Sequence, residues 1–172
     1  KSNFKLLARQ IKTFSPLAVC VGQESLVLKL KQELIKLKIK IIPEIYSGEE
    51  GLLKLINLKI NFKPLVIGAL VGAVGIKPII VAIKSGYNIA LANKEVLVCA
   101  GELVMNLARK KGVKIFPIDS EHSAIWQCLK NEDAKNINKI ILTCSGGPFF
   151  GKTKKDLANI SVKQALNHPK WK

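Results

Sequence analysis

The sequence predicts an α/β fold with a mostly parallel sheet and flanking helices, and three observations predict it. Short apolar runs alternate with longer segments of helical periodicity. Glycine, proline and serine stops separate the two kinds of segment. Polar clusters stand directly after apolar runs, where the carboxyl ends of parallel strands present ligands. The last thirty or so residues depart from the alternation and are expected to begin a second domain.

Each element has its own warrant. Phe4, Leu7, Ala8, Ile11 and Phe14 recur at helical spacing, and Ser15-Pro16 ends that helix. Leu17 to Val21 reads as a first strand. A second helix spans about Glu24 to Leu37, with Leu26, Leu30, Leu34 and Leu37 on one stripe and lysines opposite. Ile39 to Pro43 is expected as strand two. Ser47 opens a third helix as a capping candidate, with Glu50 three positions on. Strand three is Leu65 to Gly68, followed by a helix over Val74 to Lys84 that Ser85-Gly86 stops. Strand four is Asn88 to Ala92, followed by a long helix from about Glu95 to Lys110, closed by Gly112. Strand five is Val113 to Ile118, followed by a short helix over Ser123 to Leu129. Strand six is expected over Asn138 to Thr143, and short helical pieces near Thr153 to Ala158 and Ser161 to Asn167.

Composition narrows the function. The chain has 172 residues, 48% of them apolar, enough for a sizeable core and too apolar for intrinsic disorder. The net charge of +16 comes from 28 basic and 12 acidic residues, and only Arg9 and Arg109 are arginines. Scattered lysines, few arginine forks and 6% aromatics argue against nucleic-acid binding as the main role. Cys20, Cys99, Cys128 and Cys144 form no C-x-x-C pair. The most apolar stretch, Leu65 to Ile83, is broken by three glycines, Lys77 and Pro78, which argues against a membrane span.

Three clusters could carry chemistry. Asp119-Ser120-Glu121 follows strand five; two carboxylates two apart in an extended segment face one way and suit a hard divalent cation. The same string also reads as a helix start, with Asp119 or Ser120 as cap. Lys94, between Asn93 and Glu95, precedes a helix, where an anionic ligand would offset the unfavourable dipole; the alternative is a surface lysine paired with a glutamate. Ser145-Gly146-Gly147 follows strand six and could present N–H groups and a hydroxyl to phosphate, or be only a turn. It is not a P-loop. Gly68, Gly72 and Gly75 read as close strand–helix packing or cofactor approach. His122 adjoins the acidic cluster, and His168-Pro169-Lys170-Trp171 reads as core or as a lid.

Five strings in order resemble the 1-deoxy-D-xylulose 5-phosphate reductoisomerase family: Val66 to Gly72, Leu91 to Glu95, Asp119 to Ile125, Ser145 to Phe149 and His168 to Trp171. The resemblance implies a Rossmann-like NADPH-binding portion over 1–118 and the start of a catalytic, metal- and substrate-binding domain over 119–172. It implies Asp119 and Glu121 as ligands of Mg²⁺ or Mn²⁺. Lys94, Ser120, Glu121, Ser145, His168 and Trp171 would serve the substrate, a small phosphorylated sugar. Ser2, Asn3, Asn93 and Glu95 would lie by the cofactor. The implied reaction converts 1-deoxy-D-xylulose 5-phosphate to 2-C-methyl-D-erythritol 4-phosphate, in isoprenoid precursor biosynthesis. A homodimer is implied as well, in a bacterial cytoplasm or a plastid stroma.

The family's G-x-T-G-S-I-G fingerprint would precede Lys1, and a further metal ligand would follow Lys172. The resemblance therefore implies a fragment lacking the nucleotide fingerprint and the C-terminal part, inactive by itself, of an active parent enzyme. The competing reading is another NAD(P)-dependent oxidoreductase acting on a small phosphorylated or acidic substrate. A binding module would instead leave Lys94, Asp119, Glu121 and Ser145 scattered.

Overall fold

Asn3 begins the first helix: its Oδ1 accepts the Leu6 N–H at 3.0 Å, satisfying one of the donors a helix start leaves unpaired. The computed structural model describes residues 2–141 and 147–169. Two compact units, Lys1–Ser123 and Ala124–Lys172, divide the chain.

The first unit alternates strand and helix. Helix α1 (Phe4–Phe14) leads to β1 (Ala18–Val21), α2 (Ser25–Lys36), β2 (Glu44–Ser47) and α3 (Gly48–Ile56). Strand β3 (Leu65–Gly68) is followed by a 3₁₀ turn, Ala73–Gly75, and by α4 (Ile76–Lys84). Then come β4 (Asn88–Leu91), α5 (Glu95–Lys111) and β5 (Ile115–Pro117), and α6 (Ser120–Cys128) runs across the division into the second unit. Inside α5, Ala100 leaves helical geometry at φ −143° and ψ 25°. Every described strand pair is parallel, β1 with β2 and, in the order β3-β4-β5, the other three. The expected parallel, Rossmann-like sheet with flanking helices is what forms.

Two apolar clusters hold this unit. Ala8 and Ile11 of α1, Val19 and Val21 of β1, and Leu30 and Leu34 of α2 make one. Ile79, Ala82 and Ile83 of α4, Ile89 and Leu91 of β4, and Val96, Val104 and Ala108 of α5 lead the other. Each fully buried Ile, Leu or Val contributes about 1.5–3 kcal/mol relative to exposure. Gly68 is required by this packing: a Cβ there would lie 2.7 Å from Ile79 Cδ1 and 3.0 Å from Leu91 Cδ1. At Gly68 this is the close strand–helix packing expected, whereas a Cβ on Gly72 would meet nothing within 4 Å.

Four expected elements differ. Strand two lies at Glu44–Ser47, after Pro43, and not at 39–43. Proline has no N–H for a ladder, while the Glu44 N–H reaches Leu17 O at 3.1 Å. Strand six does not form over residues 138–141, where Ile140 and Ile141 are exposed; residues 142 and 143 lie outside the described residues. The expected helix near 153–158 is a run of turns. There the Asp156 carboxylate accepts from the Thr153 N–H at 2.8 Å and the Thr153 hydroxyl at 2.7 Å, a cap-like closure that no helix follows. Helix α6 begins three residues earlier than expected, at Ser120.

The second unit holds a 3₁₀ turn, Ala134–Asn136, and a short helix α7 (Val162–Leu166). Ser161 and Gln164 close α7 with a capping box. Among the described residues, no helix is long and apolar enough to cross a membrane.

Candidate active site

Strands β4 and β5 are hydrogen-bonded neighbours, so the segments leaving their carboxyl ends are neighbours too. Lys94 leaves β4, and Asp119 and Glu121 leave β5. The Lys94 Nζ lies 3.0 Å from Glu121 Oε2 and 3.8 Å from Asp119 Oδ2. The Ser120 hydroxyl donates to Glu121 Oε2 at 2.8 Å. His122 Nδ1 is hydrogen-bonded to Asp119 Oδ2. The Asp119 side chain is 11% exposed and that of Lys94 44%, so the carboxylate sits deeper than the ammonium that faces it.

The two carboxylates converge by a different route from the one expected. Glu121 is in the first turn of α6, not in an extended segment. A carboxylate there is favoured by the helix dipole, and the Asp119 carbonyl accepts the Ser123 N–H at 2.9 Å. The string starts a helix, as one of the two expected readings has it, and both carboxylates lie near the Lys94 ammonium.

Electrostatics follow from this contact. The hydrogen bond from Lys94, then the Ser120 hydroxyl and Glu121's own backbone N–H, bring the Glu121 carboxyl down from 4.5 to about 2. The Lys94 ammonium is held above its ordinary value, first by the bond to Glu121, then by the charges of Glu121, Asp119 and Glu95. The folded value of Glu121 lies below the unfolded one. Its contribution to stability is thus complete above about pH 4.5 and is lost as pH falls toward about 2. Carbon-detected NMR titration of the metal-free protein should place the Glu121 midpoint near pH 2. A midpoint at the ordinary value would mean that Lys94 and Glu121 are apart in solution.

A second feature lies at the carboxyl ends of β1 and β2, a cleft of about 350 Å³. Ser2, Cys20, Gly22 and Gly48 line it, with Leu70 and Val74 as an apolar wall. Gly48, at φ 66°, opens the turn from β2 into α3. The position matches where open α/β sheets take nucleotides, and a glycine-opened, mostly apolar cleft fits a dinucleotide. Gly48, Leu70 and Val74 escape the reading of the sequence, although a glycine between strand and helix was the available signal. The Glu24 carboxylate, bonded to the Ser47 hydroxyl at the end of β2, is another contact that reading misses.

Of the residues expected by the cofactor, Ser2 lines this cleft. Asn3 caps α1 with its side chain, and Glu95 is exposed in the first turn of α5. Asn93 is buried, with its amide committed to backbone: Nδ2 donates to Leu70 O and, at 2.9 Å, to Gly72 O. Asn93 Oδ1 accepts the Val96 N–H at 3.3 Å. His168 follows α7 in the second unit, its N–H donating to Leu166 O at 2.9 Å. Ser145 and Trp171 lie outside the described residues.

Asp119 and Glu121 were tested as a donor set. Two carboxylates within reach of one cationic point suit a hard ion that keeps several waters, as Mg²⁺ and Mn²⁺ do. Among the described residues, no three His, Cys, Asp or Glu side chains gather on such a point.

Two family models match this chain. The model of 1-deoxy-D-xylulose 5-phosphate reductoisomerase matches residues 1–101, and that of the enzyme's C-terminal domain matches 115–172. The chain is 48% identical to the reductoisomerase of Lachnospira eligens, over 96% of this chain and 42% of that protein. It is 47% identical to that of Caldanaerobacter subterraneus subsp. tengcongensis, over 99% and 43%. A DOX-P reductoisomerase solved with NADPH, fosmidomycin and magnesium superposes with a TM-score of 0.72 at 37% identity, over 99% of this chain and 43% of that one. The Zymomonas mobilis enzyme solved with NADPH gives 0.73 at 32%, over 97% and 42%. The chain thus spans about 43% of the length of the curated relatives it matches. The expected fragment lacking the N-terminal nucleotide fingerprint and the C-terminal part is corrected to this extent: the reductoisomerase model and the C-terminal domain model both match within the one chain, at 1–101 and 115–172.

Proposed function

This chain belongs to the 1-deoxy-D-xylulose 5-phosphate reductoisomerase family, and from that premise we propose that the protein converts 1-deoxy-D-xylulose 5-phosphate to 2-C-methyl-D-erythritol 4-phosphate with NADPH and Mg²⁺ or Mn²⁺. One observation supports the reading above the others: Lys94 meets Asp119 and Glu121 at the carboxyl ends of adjacent parallel strands.

When bound, the cation polarises a carbonyl and the dinucleotide supplies hydride. The chain's own residues bind and orient. Asp119 and Glu121 hold the cation, and the depressed Glu121 carboxyl keeps its charge through the physiological range. Lys94 offers its ammonium to substrate oxygens, and the same carboxylates keep it charged. The Ser120 hydroxyl, which donates to Glu121, would hold a substrate oxygen. His122 steadies Asp119, the kind of support that outer groups give to a metal ligand. Ser2 contributes to the cofactor cleft. Asn3, Asn93 and Glu95 complete the cofactor side of the proposal. Ser145, His168 and Trp171 are proposed to serve the substrate on the resemblance of their strings alone.

The proposal extends to a homodimer in a bacterial cytoplasm or plastid stroma, and sedimentation would check the dimer. For the activity, 1-deoxy-D-xylulose 5-phosphate, NADPH and Mg²⁺ or Mn²⁺ are added to the protein and the absorbance of reduced cofactor is followed. Substrate-dependent oxidation that EDTA stops is expected. No oxidation with any divalent cation would defeat the assignment.

A further inference from the structure

Asn93 is the one buried polar side chain in the cores of the described residues, at 4% exposure. A buried amide persists where its hydrogen bonds are made, and this one makes three kinds. It donates to Leu70 O and Gly72 O, in the loop after β3, and accepts from Val96 N at the start of α5. It lines a cavity of about 230 Å³, yet Gly75 packs closely against it. A Cβ on Gly75 would lie 2.6 Å from Asn93 Nδ2 and 3.3 Å from Leu70 O.

What the amide joins is informative. Leu70 and Val74 form the apolar wall of the cleft. The next residue after Asn93 is Lys94, whose ammonium holds the two carboxylates. One side chain therefore ties the wall of the cleft to the backbone that aims Lys94. We propose that Asn93 is a positioning residue that couples the two places, so that a dinucleotide against the Leu70 wall and a divalent cation at Asp119 and Glu121 each strengthen the binding of the other. The proposal takes the identity of the two ligands from the functional reading above. Coupling between sites is reciprocal and typically amounts to about 5–150-fold in affinity.

The test is Mn²⁺ affinity by electron paramagnetic resonance on the whole protein, with and without saturating NADPH. In the wild type, NADPH should tighten Mn²⁺ binding by about fivefold or more. Asn93→Asp keeps an oxygen for the Val96 N–H and removes both donors to the loop. In the folded variant the ratio of Mn²⁺ affinities with and without NADPH should fall below about twofold, whatever the affinity for Mn²⁺ alone. A merely structural asparagine would lower thermal stability and leave the ratio with and without NADPH unchanged. If N93D does not fold, Gly75→Ala presses on the same amide from the other side and should reduce the ratio likewise. A wild type that binds both ligands without mutual effect, or a folded variant that keeps the full effect, overturns the coupling alone. A wild type that binds neither ligand overturns the functional reading with it.

Discussion

Glu121→Gln should lower kcat/KM by about 10²–10³-fold, the scale found when one preorganised electrostatic group is removed from an active site. The substitution keeps shape, deletes the charge and turns one acceptor oxygen into an NH₂ donor. The structure gives that charge two side-chain partners. Lys94 Nζ lies at 3.0 Å, the Ser120 hydroxyl at 2.8 Å, and a cation would take the same oxygens. Mn²⁺ affinity should fall alongside turnover, and circular dichroism should be unchanged because Glu121 is partly exposed and outside both apolar clusters. Steady-state kinetics and Mn²⁺ binding measured together make the check. Wild-type kcat/KM in a protein that carries glutamine at 121 would remove this carboxylate from the site.

Lys94→Met should separate metal binding from catalysis. In the structure the ammonium neutralises Asp119 and Glu121 from the position a divalent cation would approach. Two carboxylates deprived of that neutral balance repel each other and draw a cation more strongly. Mn²⁺ affinity should therefore rise or stay level in K94M, while turnover falls by about 10²–10³-fold through loss of substrate orientation. In the metal-free variant the Glu121 carboxyl should titrate upward from about 2 toward 4.5, since its first cause of depression is gone. Falls in metal affinity and turnover by equal factors would show that Lys94 serves the carboxylates and not the substrate.

Much of this arrangement was legible in the sequence, because parallel strands and their endings leave local marks. Leu65 to Gly68 could be bounded at once, since an apolar run meets a glycine that Ile79 and Leu91 leave no room to replace. Lys94 and Glu121 could be placed in one site because each follows an apolar run, and the parallel sheet rule does the rest. Pro43 misled, since a proline that ends an apolar run also fits just before a strand. The apolar run from 138 also misled, as periodicity cannot say whether a partner strand is available. The Asn93 amide was beyond reach for another reason. Its partners lie 21 and 23 positions away and are carbonyls, which carry no residue identity.

The tight fit of Gly75 against the Asn93 amide bears on how such proteins can drift over generations. A lineage that gained a methyl at 75 would meet a steric conflict until 93 shortened, and a lineage that shortened 93 first would strand two carbonyls. The two positions should therefore change together or not at all, and a sequence collection in which they vary independently would speak against so close a fit.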